Sequence, residues 1–256
     1  MGLELAQRQR NHRNWNEFIE RTYPQVRKFQ FRDIPEESDR FVVMVEPREH
    51  PHLEYVLRNV MHFLGPAWGL QLFVGRKNKA FVKDIVKDWN KVHVAEIGTD
   101  NLTAAEYNQL KKTPGFWELI KGEHVLWIEP DCLLCHGEVD PFLEYDYVGA
   151  PWDDWMTVSG HVRIGNGGLS LRRKSAMIEI GRTCNRDASV FQQEDVFYSV
   201  NMHLQPERYR LPALEVAQRF AVETIYHPNP LGLHKAWKFI PSGQFEMLLD
   251  TIRYDR

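Results

Sequence analysis

The sequence predicts an α/β domain with a mostly parallel central sheet and helices on both faces. Three observations lead there. Short apolar runs recur at 41–45 (FVVMV), 70–74 (LQLFV), 92–97 (VHVAEI) and 125–128 (VLWI), of strand length and largely apolar at consecutive positions, as strands buried on both faces must be. The segments between them carry apolar residues at helical spacing. Strand and helix therefore alternate three times before Glu129, the pattern of a parallel sheet with right-handed helical crossovers.

Residues 1–30 read as a polar helix, with Leu3, Leu5, Trp15, Phe18 and Ile19 set among Arg8, Arg10 and Arg13. Its short apolar stripe and its glutamates favour packing on the domain over docking to a membrane surface. The first strand, 41–45, ends at Glu46-Pro47-Arg48. Leu53, Leu57, Val60, Met61 and Leu64 then fall on one helical face, stopped by Gly65-Pro66. The second strand is followed by a helical face of Val82, Ile85, Val86 and Trp89, then by the third strand. Thr103 and Glu106 form a capping-box pattern, and Pro114-Gly115 breaks the segment before 116–120. The fourth strand is 125–128. Beyond it the regularity fades: an aromatic stretch at 141–152, a strand at 161–164, a glycine loop at 165–168, helices at 175–180 and from Gln193, and a late strand at 220–225. There is no internal repeat and no linker. The expected division is a helical extension, 1–40, and a single domain, 41–256.

At 256 residues, with 43% hydrophobic and 12% aromatic side chains, the chain can bury a large core. A net charge of −3 and a pI near 6.4 argue against nucleic acid as a partner. No run approaches the ~18 apolar residues of a transmembrane helix, and no apolar secretory core is visible near the start. The expectation is a soluble, cytoplasmic protein. The three cysteines do not make a disulfide framework. Cys132-Leu133-Leu134-Cys135-His136 matches a haem-attachment pattern, but the plainer reading is two small apolar side chains after the strand.

The chemistry centres on Glu129-Pro130-Asp131. Proline ends strand pairing there, and open parallel sheets bind ligands beyond the carboxyl ends of their strands. Two acids at such a place suit a divalent cation and, through it, a phosphate; an acidic turn is the plain alternative. Gly165-Asn166-Gly167-Gly168 has neither dinucleotide nor P-loop spacing. It offers close backbone approach and an amide that donates and accepts, or else a simple hairpin turn. Glu194 and Asp195 open a helix, where the dipole favours acids; one of them is a candidate general base. In 227–237, a histidine can complete a metal shell and Lys235 can hold a diphosphate as a point charge; a proline-rich turn with a surface histidine is the plain alternative.

The order of these pieces resembles the GT-A glycosyltransferases. More closely, the chain is similar to a glycosyltransferase-like family known only as a domain of unknown function. The resemblance is carried by 43–66 (VMVEPREHPHLEYVLRNVMHFLGP), 142–152 (FLEYDYVGAPW), 165–172 (GNGGLSLR), 194–197 (EDVF) and 230–237 (PLGLHKAW), spread over most of 41–240. It implies a GT-A-like, nucleotide-diphospho-sugar transferase fold. The implied activity moves a sugar from a nucleotide-diphosphate donor to an acceptor hydroxyl, with Mn²⁺ or Mg²⁺ holding the diphosphate. Glu129 and Asp131 would fill the Asp-x-Asp position, Glu129 departing from the usual first Asp. Gly232, Lys235 and Trp237 match a Gly-x-x-Lys-x-Trp spacing of glycogenin-like transferases. The metal histidine of that pattern would be His227, which lies two residues too far from the glycine, or His234. Asn166, Gly167 and Gly168 would line the donor sugar and acceptor side, Arg48 the nucleotide, and Asp195 or Glu194 would be the base. As aromatics, Trp152 and Trp155 are candidates to stack on a sugar face or else are simply core. The alternatives are a nucleotidyltransferase of the same fold and a degenerate sugar- or nucleotide-binding or scaffold protein.

Overall fold

The computed structural model describes residues 3–153, 164–184 and 191–254. Trp155 and the first three residues of the strand expected at 161–164 lie outside them. The chain opens with α1 (Leu5–Val26), β1 (Arg40–Val45), α2 (Leu53–Leu64), β2 (Gly69–Val74), α3 (Lys79–Ile85), β3 (His93–Glu96), α4 (Ala104–Lys112), α5 (Pro114–Glu118) and β4 (His124–Ile128). The capping box forms in full: Thr103 Oγ1 accepts from Glu106 N, and Glu106 Oε2 accepts from Thr103 N. Pro114 starts α5 as well as ending α4, because its missing N–H costs nothing in a first helical turn.

The central sheet has the order β3-β2-β1-β4-β7-β6, where β6 is Tyr147–Gly149 and β7 is Leu169–Arg173. The pairs β2–β3, β1–β2 and β1–β4 are parallel, while β7 runs antiparallel to β4 and β6. Alternation of side chains splits the core in two. Val42, Met44, Leu70, Leu72, Leu126 and Ile128 face one side, with α1, α2 and α9 (Ser242–Thr251). Phe41, Val43, Val45, Val125 and Trp127 face the other, with α5, α6 (Lys174–Thr183) and α7 (Glu194–His203). Among the described residues, no helix is long and apolar enough to cross a membrane.

Strand order reverses between β1 and β4, so the ends of these two strands flank a topological switch point, where open α/β sheets place their ligands. β7 enters from the same end, since Leu169 pairs with Ile128. A second sheet of three short strands lies beyond, in the order β5-β9-β8: Cys132–Leu134, Gly232–His234 and Ala221–Val222. The late strand expected at 220–225 is thus cut to two residues. Phe220 instead closes α8 (Leu214–Phe220), its ring buried on Phe142.

Asn59 on α2 binds the small sheet in place. Its Nδ2 donates to Leu134 O at 3.0 Å and to Tyr254 Oη at 2.9 Å, and its Oδ1 accepts from Leu134 N at 2.7 Å. Asn59→Ala strands both buried backbone groups of Leu134. We expect a loss of about 2–4 kcal/mol in urea unfolding, with the midpoint lowered and the slope unchanged.

Candidate active site at the switch point

A cavity of about 520 Å³ opens beyond the ends of β1 and β4, within the size range of small-molecule sites. Ten expected residues line it: Arg48, Glu129, Asp131, Asn166, Gly167, Gly168, Glu194, Asp195, His234 and Lys235. His227 and Trp152 do not. His227 sits in the turn before β9, its Nδ1 accepting from Asn229 N at 3.2 Å. Trp152 is buried against Val200 of α7. What separates the two histidines is strand register. β5 follows directly from Asp131, and antiparallel pairing sets Cys132 opposite His234, with Lys235 N donating to Asp131 O at 3.2 Å. The imidazole of His234 is thereby carried to the acid pair.

His234 Nε2 lies 3.5 Å from Asp131 Oδ1 and 3.6 Å from Glu129 Oε2, and Nδ1 lies 3.2 Å from Glu223 Oε1. Neither ring nitrogen makes a well-formed hydrogen bond, and Asp131 Oδ1 is likewise buried without one. Burial alone would lower the His234 pKa, but the carboxylates of Glu223, Glu129 and Asp131 outweigh it and lift it to about 9. Burial would raise that of Glu129, but His234, Lys235 and Lys111 hold it well below the carboxylate range. Lys235 adopts the left-handed conformation, φ 48°, and its Nζ sits 3.2 Å from Glu129 Oε2 and 3.3 Å from Asp131 Oδ2. The corner is therefore built to hold positive charge.

Ligand atoms of Asp131, Cys132 and His234 lie within 4.8 Å of one another. The Cys132 thiol donates to Gly168 O at 3.2 Å, and burial beside two acids pushes its pKa well up. The ready donors are then carboxylate oxygens and one imidazole, a set that suits Mn²⁺. With orphaned atoms on Asp131 and His234 facing one another, the residues fit a divalent ion. Glu223 is the outer partner such a histidine normally has. It also accepts from Asn166 Nδ2 at 2.6 Å, while Asn166 Oδ1 accepts from Gly168 N at 3.0 Å. A Cβ on Gly168 would fall 2.1 Å from the His234 ring, and one on Gly167 would fall 2.2 Å from Glu194 Oε1. The two glycines admit these side chains, and both also line the cavity.

Glu194 and Asp195 are neighbours with different fates. Glu194 is fully enclosed and takes a bidentate contact from Arg172, Nη1–Oε2 2.7 Å and Nη2–Oε1 3.0 Å, plus a close ion pair from Lys111 Nζ. Burial would raise its pKa, but the two cations bring it below the ordinary value. Arg172 is itself buried, ringed by Tyr147, Trp117, Trp127 and Tyr198, and also donates to Ser170 Oγ and Gly167 O. Lys111 Nζ lies 4.7 Å over Trp127 and 4.9 Å over Tyr107, and donates to Gly167 O. Asp195 is half-buried, with Oδ2 accepting from Gly167 N at 3.2 Å and Oδ1 from Val196 N at 2.8 Å. Burial, reinforced by the Glu194 charge, raises its pKa to about 6, a range that suits a general base. At the opposite rim Arg48 makes a bidentate pair with buried Glu46 at 2.8 and 2.9 Å. Asn78 pins that loop by donating to Glu46 O and Arg48 O.

Lys111, Arg172, Glu223 and Glu46 were not anticipated from sequence. Lys111-Lys112 reads as ordinary positive charge at a helix C-terminus. Glu223 carried a usable signal, a carboxylate inside the apolar run 220–225.

Residues 91–234 match the family described as "Protein of unknown function (DUF5672)". The chain belongs to this family. No curated protein matches it. Among solved structures, mouse xyloside xylosyltransferase 1 in its apo form is similar, with 11% identity and a TM-score of 0.50 over 76% of this chain and 97% of that one. The apo form of the glycosyltransferase GlyE from Streptococcus pneumoniae TIGR4 gives 12% identity and a TM-score of 0.46 over 76% of this chain; the chain spans about half of GlyE, 54%. The 4-diphosphocytidyl-2C-methyl-D-erythritolsynthase from Anaerococcus prevotii DSM 20548 gives 9% identity and 0.44, over 65% of this chain and 83% of that one. The mouse structure shows the fold, which is GT-A-like, a nucleotide-sugar transferase-like architecture.

Two outcomes follow for the acid pair. Glu194→Gln leaves Arg172 and Lys111 buried without a full counter-charge and should cost about 3–5 kcal/mol in equilibrium denaturation. Asp195 ionises near 3.8 when unfolded and about 6 when folded. Its charge therefore costs the native state stability, none below the lower value and the full amount above the upper. The melting temperature of Asp195→Asn relative to the parent should rise between pH 4 and pH 7; a flat difference would contradict the raised pKa.

Proposed function

We propose that this protein is a metal-dependent glycosyltransferase, moving a sugar from a nucleotide-diphosphate sugar to an acceptor hydroxyl. The observation that carries the reading is the β5–β9 register. It sets the orphaned Nε2 of His234 against the orphaned Oδ1 of Asp131, with Glu129 alongside, at the floor of a cavity beyond the switch point. In this reading residues 41–256 form the transferase domain and 1–40 a helical extension upon it.

Asp131, His234 and Glu129 would hold Mn²⁺ or Mg²⁺, with Glu223 fixing the imidazole. When bound, the ion supplies Lewis-acid stabilisation to the departing diphosphate. Lys235 adds a point charge on the same leaving group, and Arg48, held by Glu46, meets the nucleotide at the other rim. Asn166 and the backbone of Gly167 and Gly168 orient the sugar. Asp195 stands where an acceptor hydroxyl can approach, and takes its proton if transfer inverts the anomeric centre. Glu194, saturated by two cations, keeps Asp195 and the glycine loop in register; the base is therefore assigned to Asp195.

A thermal-shift screen of UDP, GDP and CMP and their sugars, with and without Mn²⁺, tests the reading through stabilisation of the native state by ligand. The expected result is a shift that needs both Mn²⁺ and one nucleotide. Absence of any shift at saturating concentrations would overturn it. Asp131→Ala should abolish the metal-dependent shift with the fold intact. Asp195→Asn should keep the shift and stop transfer. Glu223→Gln should weaken Mn²⁺ binding by about 10–100-fold. Release of free nucleoside diphosphate, in place of pyrophosphate, identifies sugar transfer over nucleotidyl transfer.

A further inference from the structure

We propose that Lys235 makes this corner select a metal–diphosphate complex over the free ion, by serving as the internal cation of the acid pair until a diphosphate draws it away. The inference rests on the metal and diphosphate reading above. Its ground is geometric. Lys235 Nζ takes one oxygen from each acid, Glu129 Oε2 at 3.2 Å and Asp131 Oδ2 at 3.3 Å, so the ammonium already bridges the carboxylates that would bridge an ion. The other oxygen of Asp131 is left buried and unpaired opposite His234. The backbone enforces the overlap, since Lys235 N is tied to Asp131 O and the left-handed φ of 48° turns the chain directly after β9. The side chain stays about one-third exposed, 33%, and its flexible stem lets the ammonium move without disturbing the strand.

A bare divalent ion entering this corner meets a resident positive charge bonded to its own ligands. It binds at the expense of two ion pairs and under repulsion from the displaced ammonium. A diphosphate that arrives with the ion offers Lys235 new anionic partners, and the repulsion becomes attraction. Metal and nucleotide should therefore each tighten the binding of the other, as linkage requires, and Lys235 should carry much of that coupling.

The test measures Mn²⁺ bound to the full chain by electron paramagnetic resonance, with no nucleotide and then with saturating UDP or, if the screen favours it, GDP. In Lys235→Met without nucleotide, Mn²⁺ should bind about tenfold more tightly than in the parent, about 1.4 kcal/mol. Lys235→Arg, which keeps the charge, should bind as weakly as the parent. The gain in Mn²⁺ affinity on adding nucleotide should be large in the parent and at least several-fold smaller in Lys235→Met. Melting curves confirm folding, with Lys235→Gln as the second neutral variant. Mn²⁺ affinity in both neutral variants equal to or weaker than the parent's overturns the competition while leaving the metal site standing. Failure of every protein to bind Mn²⁺ at millimolar concentration, with or without nucleotide, removes the metal reading and this proposal together.

Discussion

The carboxylate of Glu194 is the constraint on which the site depends. It is buried with two cations, Arg172 from β7 and Lys111 from α4, and each cation also donates to Gly167 O. One acid at the start of α7 thereby joins a sheet strand, a helix on the sheet's face and the glycine loop. Three charges enclosed in this way cost several kcal/mol each in desolvation and are tolerated only when their hydrogen bonds are filled. Here the aromatic rings of Trp117, Trp127, Tyr147 and Tyr198 surround the guanidinium and supply cation–π contacts. The arrangement contributes less to net stability than to geometry: few other placements of α7 would satisfy all three ions at once.

A second cluster lies beside it, with Lys111 Nζ 4.0 Å from Glu129 Oε1, and has the opposite balance. Around Glu194 cations outnumber acids, whereas around His234 the acids Glu129, Asp131 and Glu223 gather. The first cluster is closed, its charges satisfied within the protein. The second is open toward the cavity and leaves a ring nitrogen and a carboxylate oxygen unpartnered. The closed and the open group of charged residues thus sit side by side, and Gly167 and Gly168 are the thin partition between them.

Much of the fold was legible because β1, β2 and β4 are long apolar runs and α2 has a clean helical face. Periodicity failed where elements are too short to show a period: β5, β6 and β9 have three residues each and β8 has two. The acids of the site could be read from their position just past a buried strand. The choice between His227 and His234 could not, because it depends on which residue of β9 faces Cys132, a tertiary fact with no local signature. Arg172 and Lys111 were hidden for another reason. A charged residue reads as solvent-exposed unless its partner is known, and here the partner is Glu194, distant in sequence from Lys111. The assignment of Glu194 and Asp195 to separate roles likewise required seeing which of the two meets the cations.

The pairing of β5 with β9 has a consequence for the order in which the protein comes into being. Asp131 directly precedes β5 and His234 ends β9, so the two meet only once a strand made much later in the sequence pairs with β5. A ribosome that has released the parallel strands has made Glu129 and Asp131 but neither Glu223 nor the imidazole. The growing chain therefore carries Glu129 and Asp131 without their imidazole while residues 132–233 are made, and the corner is completed in nearly the same step in which the small sheet closes.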